Sequence, residues 1–358
     1  MITEQHLIEI ISKFDVDSKA ISCVPYGNGH INKTYEVKTE KGGHYILQQV
    51  NNNVFKDVDM LMRNINYVSS YLIEKGNDSL HIIKTKDGKL YIQDENMFFR
   101  LYIFTPNTVY FEKPTPEIVK ETAEAYGDLH NSLSGLDASK IDEVIPNFHN
   151  TVKRFENFLN AVEINYKNRK EQCKKEIDDI ISFKDKYSVV VDAIQKKEIN
   201  LTITHNDPKI NNVLFDKDSH KFKCVVDLDT VMPGSLLYDF GDGLRSLFTG
   251  ENECSKDLSK LKVDFNIYEL FLTGYAKKMK NTLSKKEIEL LPFSIFLMTI
   301  EVGMRFLEDF LRGDVYFGIH NEDDNLTRAR TQITLAKDVY NKLDLLNKKT
   351  EEIFAKII

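Results

Sequence analysis

Near residue 105 the hydrophobic pattern changes period, and that change restricts the chain to few folds. Before it, apolar residues mostly alternate. "ISCVPY", "KTYEVKT" and "HYILQQV" read as strands joined by "GNGHIN" and "EKGG". "HIIKTKDGKLYIQDENMFFRLYIF" returns to strands, with "KDG" as a hairpin turn. One helix interrupts them: in "KDVDMLMRNINYVSSYLIEK", Val58, Leu61, Met62, Ile65 and Val68 fall at helical spacing and Asp57 stands where a cap belongs. After "TPNTVY" the pattern is helical, over 116–137, over 147–196 as one or two long helices, and from about 256 onward with breaks near Pro292 and Gly313. A chain of 358 residues is long enough for two lobes. We therefore expect an α+β protein with an N-terminal lobe over 1–105 and a larger, mainly helical lobe over 106–358.

Inside the helical part lies an exception, "THNDPKINNVLF", followed by "DKDSHK" and "FKCVVDLD". Two short apolar runs around a polar turn predict a β-hairpin. If its loop is centred between Ser219 and His220, Asn212 faces Asp227 at the open end. Two hard oxygen ligands side by side suit Mg²⁺, and Asp207 lies just upstream. Phosphoryl transfer needs an acid to orient the attacking hydroxyl and take its proton, ligands for the metal on the phosphates, and a cation for the transferred group. Asp207 fits the first role, Asn212 and Asp227 the second, and Lys209 the third. The five-residue step from Asp207 to Asn212 is that of a kinase catalytic loop. His205 reads as a brace of this loop. "GNGHIN" lies between two strands, a context for a loop folded over nucleotide phosphates and not for a dinucleotide fingerprint, which opens a helix.

Composition removes other classes. A net charge of −7 argues against nucleic acid as the main partner. The four cysteines form no CxxC, which disfavours zinc and a disulfide framework and suits a reducing cytoplasm. No signal peptide is expected from "MITEQHLIEIISKFDVD", and no stretch reads as long and apolar enough to cross a membrane.

Taken together, "GNGHINKTYEV", "YILQQVNNNVF", "THNDPKINNVLFD" and "CVVDLDTVMPGSLLYDFGDGLR" resemble the aminoglycoside phosphotransferase/choline kinase superfamily, and within it the N-acetylhexosamine 1-kinase branch. The likeness runs from about residue 20 to about residue 340. It implies a bilobal protein-kinase-like fold, ATP and Mg²⁺ as cofactors, and phosphorylation of the anomeric hydroxyl of N-acetylglucosamine or N-acetylgalactosamine. By the resemblance Asp207 is the base, and Asn212 and Asp227 are the metal ligands. Asp239 supports the catalytic loop, a role compatible with its also being a helix N-cap. Gly27, Asn28, Gly29 and His30 go to the nucleotide, as do Phe104 to Asn107 as a hinge. His30, Thr230, Arg305 and Tyr316 go to the sugar.

One position departs from the kinase pattern. A third-strand lysine ordinarily holds the α- and β-phosphates, and Gln48 stands there. An amide brings no charge. Two other readings therefore stay open: a kinase of another small alcohol, of the choline, homoserine or aminoglycoside type, and a kinase-like binding module without activity.

Overall fold

The computed structural model describes residues 2–27, 31–250 and 253–357. It is α+β, with an antiparallel sheet in its N-terminal part and a larger helical C-terminal part. The chain divides into two compact units. The first takes Met1–Thr108, Ser139–Ile145 and Val226–Asp229, and the second takes the remainder. The expected division at 105/106 had assigned the last two segments to the second lobe.

In the first unit, β1 (Ala20–Pro25), β2 (Lys33–Thr39), β3 (His44–Val50), β6 (Met97–Ile103) and β4 (Ile82–Ile83) lie side by side in that order, with β5 (Ile92–Asp94) also on β6. The ladders between them are antiparallel. Val37, Leu47, Phe99 and Leu101 turn to one core with Leu7, Ile10 and Ile11 of α1 (Glu4–Ile11). The intervening helix α2 (Val58–Glu74) begins where Asp57 accepts the Met60 N–H at 2.8 Å. "KDG" does turn the chain, since Gly88 N–H donates to Thr85, but it joins no hairpin: β4 and β5 each pair with β6 and not with each other. Ser139–Ile145 joins this unit through Asn64, whose amide exchanges hydrogen bonds of 2.8 and 3.1 Å with the backbone of Asp142.

After β7 (Thr108–Val109), the second unit runs through α3 (Pro116–Leu133), α4 (Thr151–Ile164), α5 (Lys174–Ser182), α6 (Val189–Gln195), β8 (Thr202–Thr204), β9 (Val213–Asp216), β10 (Phe222–Val225) and β11 (Met232–Gly234). It closes with α7 (Leu236–Thr249), α8 (Phe265–Met279), α9 (Lys285–Arg312), α10 (Asp324–Asn341) and α11 (Leu343–Ile357). Two expectations fail here. The segment 147–196 is not one or two long helices; α4 ends on Asn165 in the left-handed conformation, with Asn168 left-handed as well. And α9, 28 residues from Lys285 to Arg312, does not break at Pro292 and ends only at left-handed Gly313. Around the proline, Leu291, Ile295 and Phe296 belong to the core, so tertiary packing outweighs the lost backbone bond. By length and composition α9 could cross a membrane, contrary to the sequence reading, yet most of its apolar length is buried inside this unit.

Candidate active site

The loop from His205 to Asn212 leaves β8 and enters β9. Its entrance is Asn206, left-handed at φ 62° and saturated with partners. The Asn206 N–H donates to Asp239 Oδ1 at 2.7 Å. Its amide donates to the carbonyls of Thr204, Thr230 and Met232 and accepts from the Thr204 hydroxyl. Its carbonyl lies 3.0 Å from His149 Nε2, and His149 Nδ1 lies 2.8 Å from buried Glu301. Gly234 on β11 makes room beneath, because a Cβ there would overlap the side chains of Thr204 and Asn206.

Asp239 gathers the loop. Oδ2 accepts the His205 N–H at 2.7 Å and lies 2.7 Å from His130 Nε2. Asp239 is not itself the N-cap: Ser235 caps α7, and Asp239 sits in the first turn. Burial would raise the Asp239 carboxyl, but the His130 hydrogen bond and charge, with the hydrogen bond from the His205 backbone N–H, outweigh it and hold it below the ordinary range. His205 is itself buried, its Nδ1 accepts the Asp207 N–H at 3.3 Å, and its ring packs edge-on against Tyr126. Thr230 also faces this loop, its hydroxyl donating to the His205 carbonyl at 2.7 Å.

Asp207 therefore emerges from a loop fixed from behind. Lys209 Nζ lies 2.7 Å from its Oδ1 and 3.0 Å from its Oδ2. Tyr126 holds the lysine backbone, donating to its carbonyl at 2.8 Å. Burial pushes the Asp207 carboxyl up, but the Lys209 ammonium, with Arg245 behind it, brings it below the usual aspartate range. The same pair holds the Lys209 ammonium above its usual range against burial. The side chains are 30% and 42% exposed, so solvent screens the pair and it is a poor source of stability. Asn212 Nδ2 donates to the Asp207 carbonyl at 3.0 Å, which leaves Oδ1 as the oxygen that could meet a cation.

The hairpin forms with a different register from the expected one. Phe222 opposes Phe215, then an irregularity shifts the ladder so that Cys224 opposes Leu214 and Val225 opposes Val213. The ladder ends there, and Leu228–Thr230 form a 3₁₀ turn. The expected opposition of Asn212 and Asp227 on paired strands is therefore absent. Asp227, left-handed at φ 59°, belongs to the first unit.

In the first unit, Thr34, Gln48 and Arg100 stand in one row across β2, β3 and β6. Gln48 is engaged within that row and does not project a free amide: Arg100 donates to its Oε1, and its Nε2 donates to Thr34. The Phe104 ring stacks on His44 at 3.7 Å, and its N–H donates to the His44 carbonyl, so this backbone donor of the expected hinge is taken. Asn107 is left-handed at φ 54°, and Gly27 has φ 72°. Asn28, Gly29 and His30 lie outside the described residues.

In the second unit Arg305 and Tyr316 do come together. The Arg305 guanidinium lies 5.1 Å from the Phe148 ring, 5.9 Å from Tyr316 and 5.5 Å from Phe317. The turn carrying Tyr316 is held by Asp309, which accepts the N–H groups of Val315, Tyr316 and Phe317 at 2.9 Å each. Sequence reasoning missed Asn206, His130, His149, Glu301 and Arg100. A signal existed for two: a lone charge inside an apolar run, as in "FFRLYIF" and "LMTIEVGM", marks a buried, paired charge.

Comparison with known proteins follows the same lines. The model of the phosphotransferase enzyme family (APH) matches residues 22–260. Among solved structures, the chain is similar to an aminoglycoside phosphotransferase from Alicyclobacillus acidocaldarius, with a TM-score of 0.64 and 13% identity, covering 98% of this chain and 97% of that one. It is similar to a choline kinase from Cryptosporidium parvum, at TM-score 0.63 and 16% identity, covering 95% and 96%. It is also similar to an amicoumacin kinase in complex with AMP-PNP, Ca²⁺ and Ami, at TM-score 0.61 and 15% identity, covering 95% and 94%.

Proposed function

Because this chain belongs to the phosphotransferase enzyme family, we propose that it transfers the γ-phosphoryl group of ATP to the anomeric hydroxyl of an N-acetylhexosamine. The observation that carries the transfer is the loop around Asp207: an ionised carboxylate beside an ammonium, fixed from behind by Asp239. Asp207 orients the sugar hydroxyl and takes its proton as that oxygen attacks the γ-phosphorus and the bond to the departing ADP oxygen breaks. Lys209 then has a second anion to serve, the phosphoryl group in transit. An anomeric hydroxyl is more acidic than an ordinary alcohol, so a carboxylate of lowered basicity suffices.

The chemistry of the two expected donors suits a hard divalent ion. Among the described residues no group of three or more His, Cys, Asp and Glu comes together to hold a metal. By their chemistry, Asn212 Oδ1 and an Asp227 carboxylate oxygen are each a hard donor of the kind that holds Mg²⁺ beside phosphate oxygens and water. Such an ion neutralises charge on the phosphates.

The acceptor reading rests on the sequence resemblance and on Arg305. A quaternary ammonium needs an empty aromatic cage. Around Phe148, Tyr316 and Phe317 the cationic position is already filled by the protein's own guanidinium. That favours a neutral, hydroxyl-rich acceptor over choline.

The test is ATP consumption with a panel of N-acetylglucosamine, N-acetylgalactosamine, choline, homoserine and an aminoglycoside, with NMR to find which atom gains phosphate. Product at C1 of either hexosamine supports the proposal; turnover of choline alone overturns it. Asp207→Ala should lower kcat by about 10³-fold or more with nucleotide affinity little changed. Near-full turnover by that variant would remove Asp207 from the role of base.

A further inference from the structure

The third strand lacks a cation, but the next strand carries one. Gln48 on β3 and Arg100 on β6 are opposed, so their side chains leave the sheet on the same face. Arg100 is 1% exposed. Its Nε and Nη2 donate to Gln48 Oε1 at 3.0 and 2.8 Å. Nη2 also lies 2.6 Å from Asp229 Oδ1, in ionic contact without an aligned hydrogen bond. The other carboxylate oxygen accepts from Asn32 Nδ2 at 2.6 Å, and Asn32 Oδ1 accepts the Asn51 N–H at 2.9 Å. Both oxygens of Asp229 thus face partners in the interior of the first unit, which makes it a counter-ion and not a second metal ligand.

Asp229 ends the segment Val226–Asp229, which belongs to the first unit while the residues on either side belong to the second. Two residues upstream is Asp227, whose left-handed backbone persists only where its surroundings fix it. Burial works against the Arg100 charge, and the Asp229 carboxylate, with a smaller contribution from Asp227, more than offsets it.

We propose that Arg100 is a positioning residue for the metal-binding acid: its buried ion pair with Asp229, braced by Gln48 and Asn32, fixes the 226–229 segment and so sets the direction of the Asp227 carboxylate. Asn32, the last residue of "GNGHIN", is itself held to the same carboxylate. The inference rests on the reading of Asp227 as a ligand of the nucleotide-bound ion. It assigns the charge absent from the third strand to metal placement and not to direct contact with phosphate.

The test is Asp229→Asn, which keeps the shape and removes the counter-charge. Mn²⁺ affinity of the protein loaded with a non-hydrolysable ATP analogue, read by EPR, should fall about tenfold or more, as it does when outer-shell partners of metal ligands are removed. The Mg²⁺ concentration for half-maximal turnover should rise in parallel, with acceptor KM unchanged. The double variant Arg100→Gln/Asp229→Asn, which orphans no buried charge, should recover part of the Mn²⁺ affinity. Mn²⁺ binding unchanged in folded Asp229→Asn, or a double variant no better than the single one, overturns the proposal. Should Asp229→Asn not fold, the double variant compared with Arg100→Lys carries the same reading: a conserved charge without the planar fork should bind Mn²⁺ more weakly than the parent. Asp227→Asn serves as the control. If it binds Mn²⁺ as the parent does, the ligand reading of Asp227 fails, whatever the Asp229 variants show.

Discussion

At the scale of single residues, the balance around Asp207 decides how the base behaves with pH. Burial raises its carboxyl; Lys209 is the largest of the groups that bring it down. A carboxyl whose folded value is depressed stays ionised through neutral and mildly acidic solution and loses its charge only as pH falls through that lowered value. Lys209→Met removes the largest opposing charge, so the acid limb of kcat/KM should move to higher pH. At about pH 7 kcat should fall roughly 10²-fold, the scale for one lost charge-stabilising donor. A pH–rate profile shows both effects, and a limb that stays in place would mean that Lys209 does not keep the proton off Asp207. The positions of Asp207, Lys209 and Asn212 on one loop were legible because the spacing of polar groups along a tight loop is local. The ring of braces behind it was not. His149, Glu301 and His130 come from elements far away in sequence, and nothing local marks where a side chain's partner will be.

At the scale of elements, helix α7 carries Asp239 to the loop, so its seat against α9 sets the site. Gly241 makes that close approach possible, since a Cβ there would overlap the Ser294 carbonyl of α9. Backbone cannot move aside as a flexible side chain can. Gly241→Ala should therefore destabilise the protein by about 2 kcal/mol, within the usual range for overpacking a core, despite alanine's better helix propensity. Urea unfolding checks this, and a variant as stable as the parent would mean that α7 shifts without cost. Sequence periodicity gave β1–β3 and α2 because alternation and helical spacing compete with nothing else there. It gave no notice of β8 or β11, whose three residues are too short to show a period. It also misplaced the hairpin register, because the irregularity between Phe222 and Cys224 alters no residue type that a pattern would register.

At the scale of the whole molecule, 55 acidic residues stand against 48 basic ones, and the buried acids of the second unit tie its fold to pH. Glu301 is fully buried; burial raises its carboxyl, and the His149 hydrogen bond and charge, then Arg154 and Thr151, bring it below the ordinary range. Asp239 is depressed in the same way. For both, the folded value lies below the unfolded one, which is about 4 for such carboxyls. Their stabilising contribution is complete above that unfolded value and is lost as pH falls through the folded one. Unfolding free energy should therefore hold between about pH 5 and 7 and drop steeply below about pH 4. Glu301→Gln tests the assignment, because it leaves His149 without its anionic partner. The variant should be about 3 kcal/mol less stable at neutral pH, the scale for breaking a buried pair from one side. It should also lose less between about pH 5 and 3.5 than the parent does, having one titrating carboxyl fewer. Urea midpoints followed by circular dichroism at those pH values give both numbers. A variant whose stability falls with the parent's slope would mean that the Glu301 proton is not among those that unfold the second unit.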